Sequence, residues 1–462
     1  MDAASAAEGT LSRTPARSDV RELREIPWSE NPDWHELGDV RVVHTLAVGP
    51  EAPPLQSARR AGMKVQSLPT ALGDWFAGHR QVCVAGTHGK STTAAMIVWI
   101  LEQSGRSPDR YIGSALWPAA ERSGPAVWQR RTAVIESCEY RGAFHALRPQ
   151  TAVLTGIEPD HFDCYPQLNE AAAAYRRFLS GSQPDGTIVV NADSTVAVDS
   201  VAQVARERLL NVAMFRVSAD SFGKPPAGSG LTACVQSPEH TATAHAKAPE
   251  LRGPQFELWR EGRLLESLQL SVPGSHNIAN AVAAIAAAEK EGVPLADAAR
   301  HVQSFPGLPR RLEFRGFQNG VALMDDYAHH PTAVRCAVAA VRQMFSGRRL
   351  IVAFEPHQAS RLSALFGDFA GALREADECL VLPVFAARED VPPGDCARLS
   401  GRLVRQINES GGRALLMPNL DQARGRLDHS ARPGDVILTL GAGRIGRIHD
   451  EITRRLSRHP AA

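Results

Sequence analysis

The sequence has no CxxC pair, no apolar run long enough to cross a membrane and no surplus of either charge. Its seven cysteines, at 83, 138, 164, 234, 336, 379 and 396, are odd in number and scattered. That excludes a disulfide framework and a zinc knuckle, and it fits a reducing cytoplasm. Lys plus Arg is 51 against 50 for Asp plus Glu, a net charge of +1. A surface built to neutralise nucleic-acid phosphates or an acidic membrane leaflet is therefore not expected, and any anionic ligand must be held by local groups. The most apolar stretches, Ala94 to Leu101 and Ala279 to Ala288, fall far short of the ~20 residues of a membrane span. Met1 to Trp28 mixes Ala, Ser, Arg, Glu and Asp without an apolar h-region, so no secretory signal is read there, and residues 1–30 are expected to be disordered. No internal repeat is visible.

What is present is enough apolar residue for several cores. The chain has 462 residues, 44% of them hydrophobic, and at roughly 150 residues per domain this suggests about three domains. Short Val- and Ile-rich runs recur, each followed by a polar or Gly-rich turn and an amphipathic stretch, which is βα alternation. The clearest are Val82 to Ala85, Ala133 to Ile135, Ala152 to Leu154, Val321 to Met324, Leu350 to Phe354 and Val436 to Leu440. Their unbroken hydrophobicity suits parallel strands covered on both faces, so the fold class is α/β with doubly wound sheets. Between Gly181 and Pro273, Gly, Pro, Ser and Thr interrupt strand-like pieces such as Phe256 to Trp259 and Leu264 to Leu270, and an antiparallel appendage is expected. A helix over Asn277 to Glu291 follows, then a linker at Phe305 to Pro309. The expected division is 31–80, 81–313 and 314–462.

The run Val82 to Ala85 leads into Gly86-Thr87-His88-Gly89-Lys90-Ser91-Thr92-Thr93 and then an apolar helix. In that context backbone N–H groups and a helix N-terminus cradle phosphate, with Lys90 on the β/γ-phosphates and Ser91 on Mg²⁺. The fuller phosphate-loop pattern has Gly where Val84 stands, so this version is shortened. At the ends of the next two strands lie Glu136, with Glu139 close by, and then Thr155 followed by Asp160 and His161. Ligands bind outside the carboxyl ends of strands in such sheets, which directs these groups to the same phosphates and makes Glu136 and His161 candidate magnesium ligands. Each residue alone would be read as a solvated loop residue; their repeated placement is the signal.

These motifs, together with Gly274-Ser-His276-Asn277-Ile-Ala-Asn280, Pro309-Arg-Arg311-Leu-Glu, Asp325-Asp326-Tyr-Ala-His329-His330-Pro, Phe354-Glu-Pro-His357 and Leu440-Gly-Ala-Gly443, resemble the Mur ligases in the expected order over roughly residues 40 to 450. The resemblance is strongest to members that add L-alanine to UDP-N-acetylmuramate. It implies a truncated N-terminal Rossmann-like region, a central P-loop ATPase-like domain and a C-terminal doubly wound Rossmann-like domain. It further implies a cytoplasmic enzyme, monomer or weak homodimer, using ATP and Mg²⁺. A substrate carboxylate would take the γ-phosphoryl group as an acyl phosphate, and an amino group would then displace phosphate. Catalytic roles fall on Lys90, Glu136, His161, Arg311 and His329. The nucleotide would be held by Gly86 to Thr92, His276, Asn277, Asn280, Arg311 and Asp325, with Asn280 on an adenine edge and Asp325 on ribose. Thr155, His357 and Arg361 would serve substrate. For Asn277 and Asn280 helix capping is the competing reading, and for His329-His330 a surface pair before Pro331.

Two departures matter. No Gly-rich loop precedes Gly86, so only about residues 40 to 80 correspond to the UDP-binding part. Gln358 stands where the family has Arg, which leaves Arg361 as the expected cationic arm for the amino-acid carboxylate. Two other readings compete: a ligase that attaches a ready-made peptide, and a nucleotide-binding regulatory module that no longer recognises the UDP-sugar.

Overall fold

The computed structural model describes residues 41–116, 131–219, 222–223, 230–236 and 253–449, so the 1–30 segment lies outside the described residues. Seventeen strands are described, in three sheets. A two-stranded parallel sheet pairs β1 (Arg41–His44) with β2 (Lys64–Ser67) around the helix Pro53–Arg60. Next come β3 (Arg80–Ala85), β4 (Asp109–Tyr111), β5 (Thr132–Glu136), β6 (Thr151–Leu154), β7 (Thr187–Asn191), β8 (Asn211–Ser218), β9 (Leu231–Val235), β10 (Gln255–Arg260) and β11 (Arg263–Gln269). They form one nine-stranded sheet in the order β11-β10-β9-β8-β7-β6-β3-β5-β4. The third sheet holds β12 (Glu313–Gln318), β13 (Val321–Asp326), β14 (Leu350–Phe354), β15 (Glu378–Val381), β16 (Ala414–Leu416) and β17 (Val436–Leu440), in the order β12-β13-β17-β14-β15-β16.

The unbroken apolar runs are strands buried on both faces. In β3, Val82 and Val84 join one core with the helices Lys90–Gln103 and His276–Lys290, while Cys83 and Ala85 join another under the helix Leu168–Ser180. In β14 the same alternation sends Leu350, Val352 and Phe354 to one side and Ile351 and Ala353 to the other. Successive side chains on a strand point to opposite faces, so a strand covered on both sides needs apolar residues at every position.

One expectation is corrected. The segment after Gly181 is not an appendage. It first continues the parallel sheet through β7, the helix Thr195–Arg208 and β8, and β9 is still parallel to β8. Antiparallel pairing begins only with β10, so the hairpin β10–β11 closes an edge of the main sheet. In the third sheet only β12 runs antiparallel to its neighbour. Among the described residues no helix is long and apolar enough to cross a membrane.

Candidate active site

Strand β3 lies between β5 and β6, so the chain leaves β3 to one side and returns on the other. The carboxyl ends of these three strands open a crevice at that reversal, which is where α/β sheets bind ligands. Gly86 to Gly89 cross the end of β3 before the helix Lys90–Gln103 begins. The loop admits no side chain at its two ends. A Cβ on Gly86, at φ 136°, would collide with Thr155 Oγ1, and one on Gly89, at φ 77°, would collide with Asn280 Oδ1.

The loop's charged groups are already engaged with one another. Lys90 Nζ donates to Gly86 O at 2.6 Å and to Glu139 Oε1 at 3.1 Å. Burial by itself would drive the ammonium's pKa down, but the Glu139 carboxylate reverses this and holds it above its ordinary value. Glu139 is the reciprocal case: burial disfavours its charge, yet Lys90 and His161 hold its pKa below the usual carboxylate range. His161 Nε2 lies 3.4 Å from Glu139 Oε1. Ser91 Oγ donates to Glu136 Oε1 at 2.7 Å and accepts from Arg311 Nη2 at 3.2 Å, so a cation from the linker before β12 reaches the start of the phosphate-loop helix. Lys90, Ser91, Glu136, His161 and Arg311 are thus brought together, and Glu139, which the sequence placed beside Glu136 without a role of its own, joins Lys90 to His161. Its position three residues beyond Glu136 was the available signal.

Other residues are spent internally. Thr155 Oγ1 donates to His88 O at 2.5 Å, with Ala85 O 3.3 Å away, fastening β6 to the phosphate loop. Asn280 Oδ1 accepts from Thr93 Oγ1, and its amide donates to Asn277 Oδ1, while Asn277 donates to Pro273 O. These two asparagines pin the helix His276–Lys290 against the loop. Neither caps the helix, since Ser275 occupies that position. Thr92 is buried in the first turn of its helix. His276 sits beside Arg311 and His88; burial first, then those two charges, pull its pKa down to about 4. Asp325 is buried, accepting from Thr439 Oγ1 at 2.7 Å and paired with Arg310 Nε at 3.3 Å. It is an internal group of the third sheet, where the sequence suggested a ribose contact.

The third sheet presents its own carboxyl ends to the crevice. His329 follows β13, and its Nδ1 contacts Tyr327 O at 2.9 Å. Burial, with Arg361 and His357 nearby, holds its pKa well below that of an ordinary imidazole. His357 follows β14 and is pulled down to about 3 by burial and by Arg361 and Arg388. Arg361 itself is 1% exposed. Its Nε donates to Asp160 Oδ1 at 2.7 Å and its Nη1 to His357 O at 3.1 Å. The residue expected to await a carboxylate is therefore a buried clasp between the two large sheets. Gln358, at φ 67°, is buried as well, with no hydrogen-bond partner at Nε2. Arg388 stands differently: exposed, its guanidinium 3.9 Å from the centroid of the Tyr140 ring, and without an acidic partner among the described residues.

Comparison with known proteins gives consistent results. Residues 84–288 match the Mur ligase middle domain, and residues 310–443 match the Mur ligase glutamate ligase domain. The chain is 35% identical over 454 residues to the UDP-N-acetylmuramate--L-alanine ligase of Kineococcus radiotolerans, covering 96% of this chain and 89% of the relative. It is also 35% identical to the enzyme of that name from Renibacterium salmoninarum, over 87% of this chain and 80% of the relative. Among solved structures, the UDP-N-acetylmuramate-alanine ligase MurC of Thermotoga maritima superposes with a TM-score of 0.69 at 21% identity, over 90% of this chain and 85% of that one. A murein peptide ligase from Psychrobacter arcticus gives 0.65 at 22% identity, over 92% and 87%. The structural likenesses establish the fold.

Proposed function

The chain belongs to the Mur ligase family, and on that premise we propose that it joins L-alanine to the lactyl carboxylate of UDP-N-acetylmuramate. It is an ATP-dependent acid–amino-acid ligase of peptidoglycan precursor synthesis. The observation that carries the reading is the convergence of Lys90, Ser91, Glu136 and Arg311 on one loop at the reversal of the sheet, in a chain whose relatives bear that name. The enzyme works in the cytoplasm, as a monomer or weak homodimer.

Phosphoryl transfer between two anions asks the protein for position and positive charge more than for a nucleophile. In this reading Gly86 to Thr92 hold the ATP phosphates, with Lys90 and Arg311 placing cations against the transferring group. Ser91, Glu136 and His161 would hold Mg²⁺. The set fits such an ion: Ser91 Oγ and Glu136 Oε1 are 2.7 Å apart, and His161 Nδ1 is buried with no hydrogen-bond partner. Bound there, Mg²⁺ would supply charge neutralisation to the phosphates. His329 keeps its proton at Nδ1 on the Tyr327 carbonyl, which leaves Nε2 as the basic nitrogen; burial, Arg361 and His357 oppose its protonation, so it would take a proton from the incoming ammonium only with the anionic substrates beside it. With Arg361 tied to Asp160, the exposed Arg388 is the arm left for the amino-acid carboxylate.

The test is phosphate release from ATP in the presence of UDP-N-acetylmuramate, with single amino acids or a tripeptide supplied in turn. Turnover with L-alanine is expected. Turnover with the tripeptide alone would replace this reading by a peptide-adding one, and turnover with neither would remove both.

A further inference from the structure

A second cluster lies on the outer side of the phosphate loop. His88 Nε2 is 3.4 Å from Glu158 Oε2, and the His88 and His330 rings are 4.6 Å apart. One ligand atom from each of the three residues falls within 4.8 Å of the other two. Two imidazoles and a carboxylate are the donor set of a borderline dication, and three such atoms around one ion at about 2.0–2.2 Å stand roughly 3.3 Å apart. The His88–Glu158 pair already has that spacing.

The surroundings favour a ligand. His88 Nε2 is shielded from solvent, and its 3.4 Å approach to Glu158 Oε2 lacks good hydrogen-bond geometry. His330 Nε2 contacts the Pro159 carbonyl at 3.1 Å, the outer hydrogen bond that metal-bound imidazoles usually make, and this leaves a lone pair on Nδ1. That lone pair now accepts only the long 3.3 Å contact from Thr332 N. Glu158 is oriented by Thr332 Oγ1 at 2.7 Å, and its backbone N–H donates to Thr87 Oγ1 at 2.8 Å, so the two loops of the nine-stranded sheet are stitched together before any ion arrives. At 29% and 40% side-chain exposure, His88 and Glu158 leave the site open to solvent.

We propose that His88, Glu158 and His330 bind one transition-metal dication of the zinc, cobalt or nickel class, which ties the phosphate loop to the helix Pro331–Met344 of the third sheet. The ion is distinct from Mg²⁺, whose preference for oxygen donors suits Ser91 and Glu136. Bound there, it holds the two sheets together beside the phosphates, and the site does not depend on which amide the enzyme makes.

The experiment titrates the full chain with Zn²⁺ by calorimetry, in saturating Mg²⁺ and without nucleotide. One ion per chain is expected. Glu158→Gln, which keeps an acceptor for Thr332, and His330→Asn, which still caps its helix, should each weaken binding at least tenfold while circular dichroism stays unchanged. Glu136→Gln should leave the affinity as it is. If His330→Asn fails to fold, Glu158→Gln alone decides. No binding, equal binding by wild type and Glu158→Gln, or loss of binding in Glu136→Gln would each overturn the proposal.

Discussion

Replacing Glu139 by Gln keeps the shape of the side chain and deletes its charge. Lys90 Nζ lies 3.0 Å from Glu139 Oε2, with side-chain exposures of 14% and 4%. Removing one member of a buried pair strands the other charge and costs about 3–5 kcal/mol. Lys90 keeps the Gly86 and Thr87 carbonyls and some contact with water, so a loss of about 2 kcal/mol is expected. At about 2–4 °C per kcal/mol for a domain of this size, the thermal midpoint falls by roughly 4–8 °C. Saturating ATP then offers Lys90 a second anionic partner, and the deficit should shrink by half or more. The pH dependence has a definite sign. Glu139's pKa is held below 4.5, so its contribution is present above that value and is lost as pH falls through its folded pKa. Lys90's is held above 10.5, so its contribution is present below that value and is lost only as pH rises through its own folded pKa. The wild-type advantage is therefore flat through neutral pH and closes in acid. The assay is differential scanning calorimetry of both proteins from acid to neutral pH, with and without ATP. A deficit that ignores both ATP and acid would show that Glu139 acts by packing alone.

Glu136→Ala and His161→Ala should each raise the Mg²⁺ concentration for half-maximal activity; an unchanged dependence in both would return them to loop side chains. Arg388→Ala should raise KM for L-alanine severalfold with KM for ATP unmoved, while an unaltered alanine KM places the carboxylate elsewhere. Asp160→Asn strands the buried Arg361 and should destabilise by about 3 kcal/mol in urea titrations. Burial alone would raise the Asp160 pKa, but Arg361, with His161, overrides this and holds it far below the usual carboxylate range, so its contribution to wild-type stability should persist through mild acid and disappear only under strong acid.

The strands that were legible share one physical property, burial on both faces. Val82 to Ala85 and Leu350 to Phe354 read as continuous apolar runs because each face meets a core. Strand β8 carried no such signal: most of Asn211–Ser218 is exposed or half-buried, and only Phe215 is fully inside. The helix Thr195–Arg208 was likewise hidden, because much of its apolar content is valine, a β-branched residue that favours strand over helix. In the site, loops that follow consecutive strands could be placed by topology alone, which is why Lys90, Ser91, Glu136 and His161 were found. The partners of Arg361 could not. Asp160 is 201 residues away, on another sheet, and the pair exists only because the two sheets turn their carboxyl ends toward each other.

That facing arrangement also bears on how a chain of net charge +1 handles substrates that each present an anionic group. Its site cations are not displayed as a field. Lys90 is matched by Glu139, Arg361 by Asp160 and Arg310 by Asp325. An anion that approaches Lys90, Arg361 or Arg310 must therefore compete with a carboxylate already in place. The interaction gained in binding is smaller than the full cation–anion attraction, and the difference is set by geometry, not by charge count. Such a site discriminates by position. A phosphate that reaches Lys90 at the end of β3 exchanges one charged partner for another at little net cost, whereas a misplaced anion meets only neutralised pairs. The same logic sets apart Arg388, which lies on the Tyr140 ring with no ion-pair partner among the described residues, and it is why the proposed carboxylate contact falls to it.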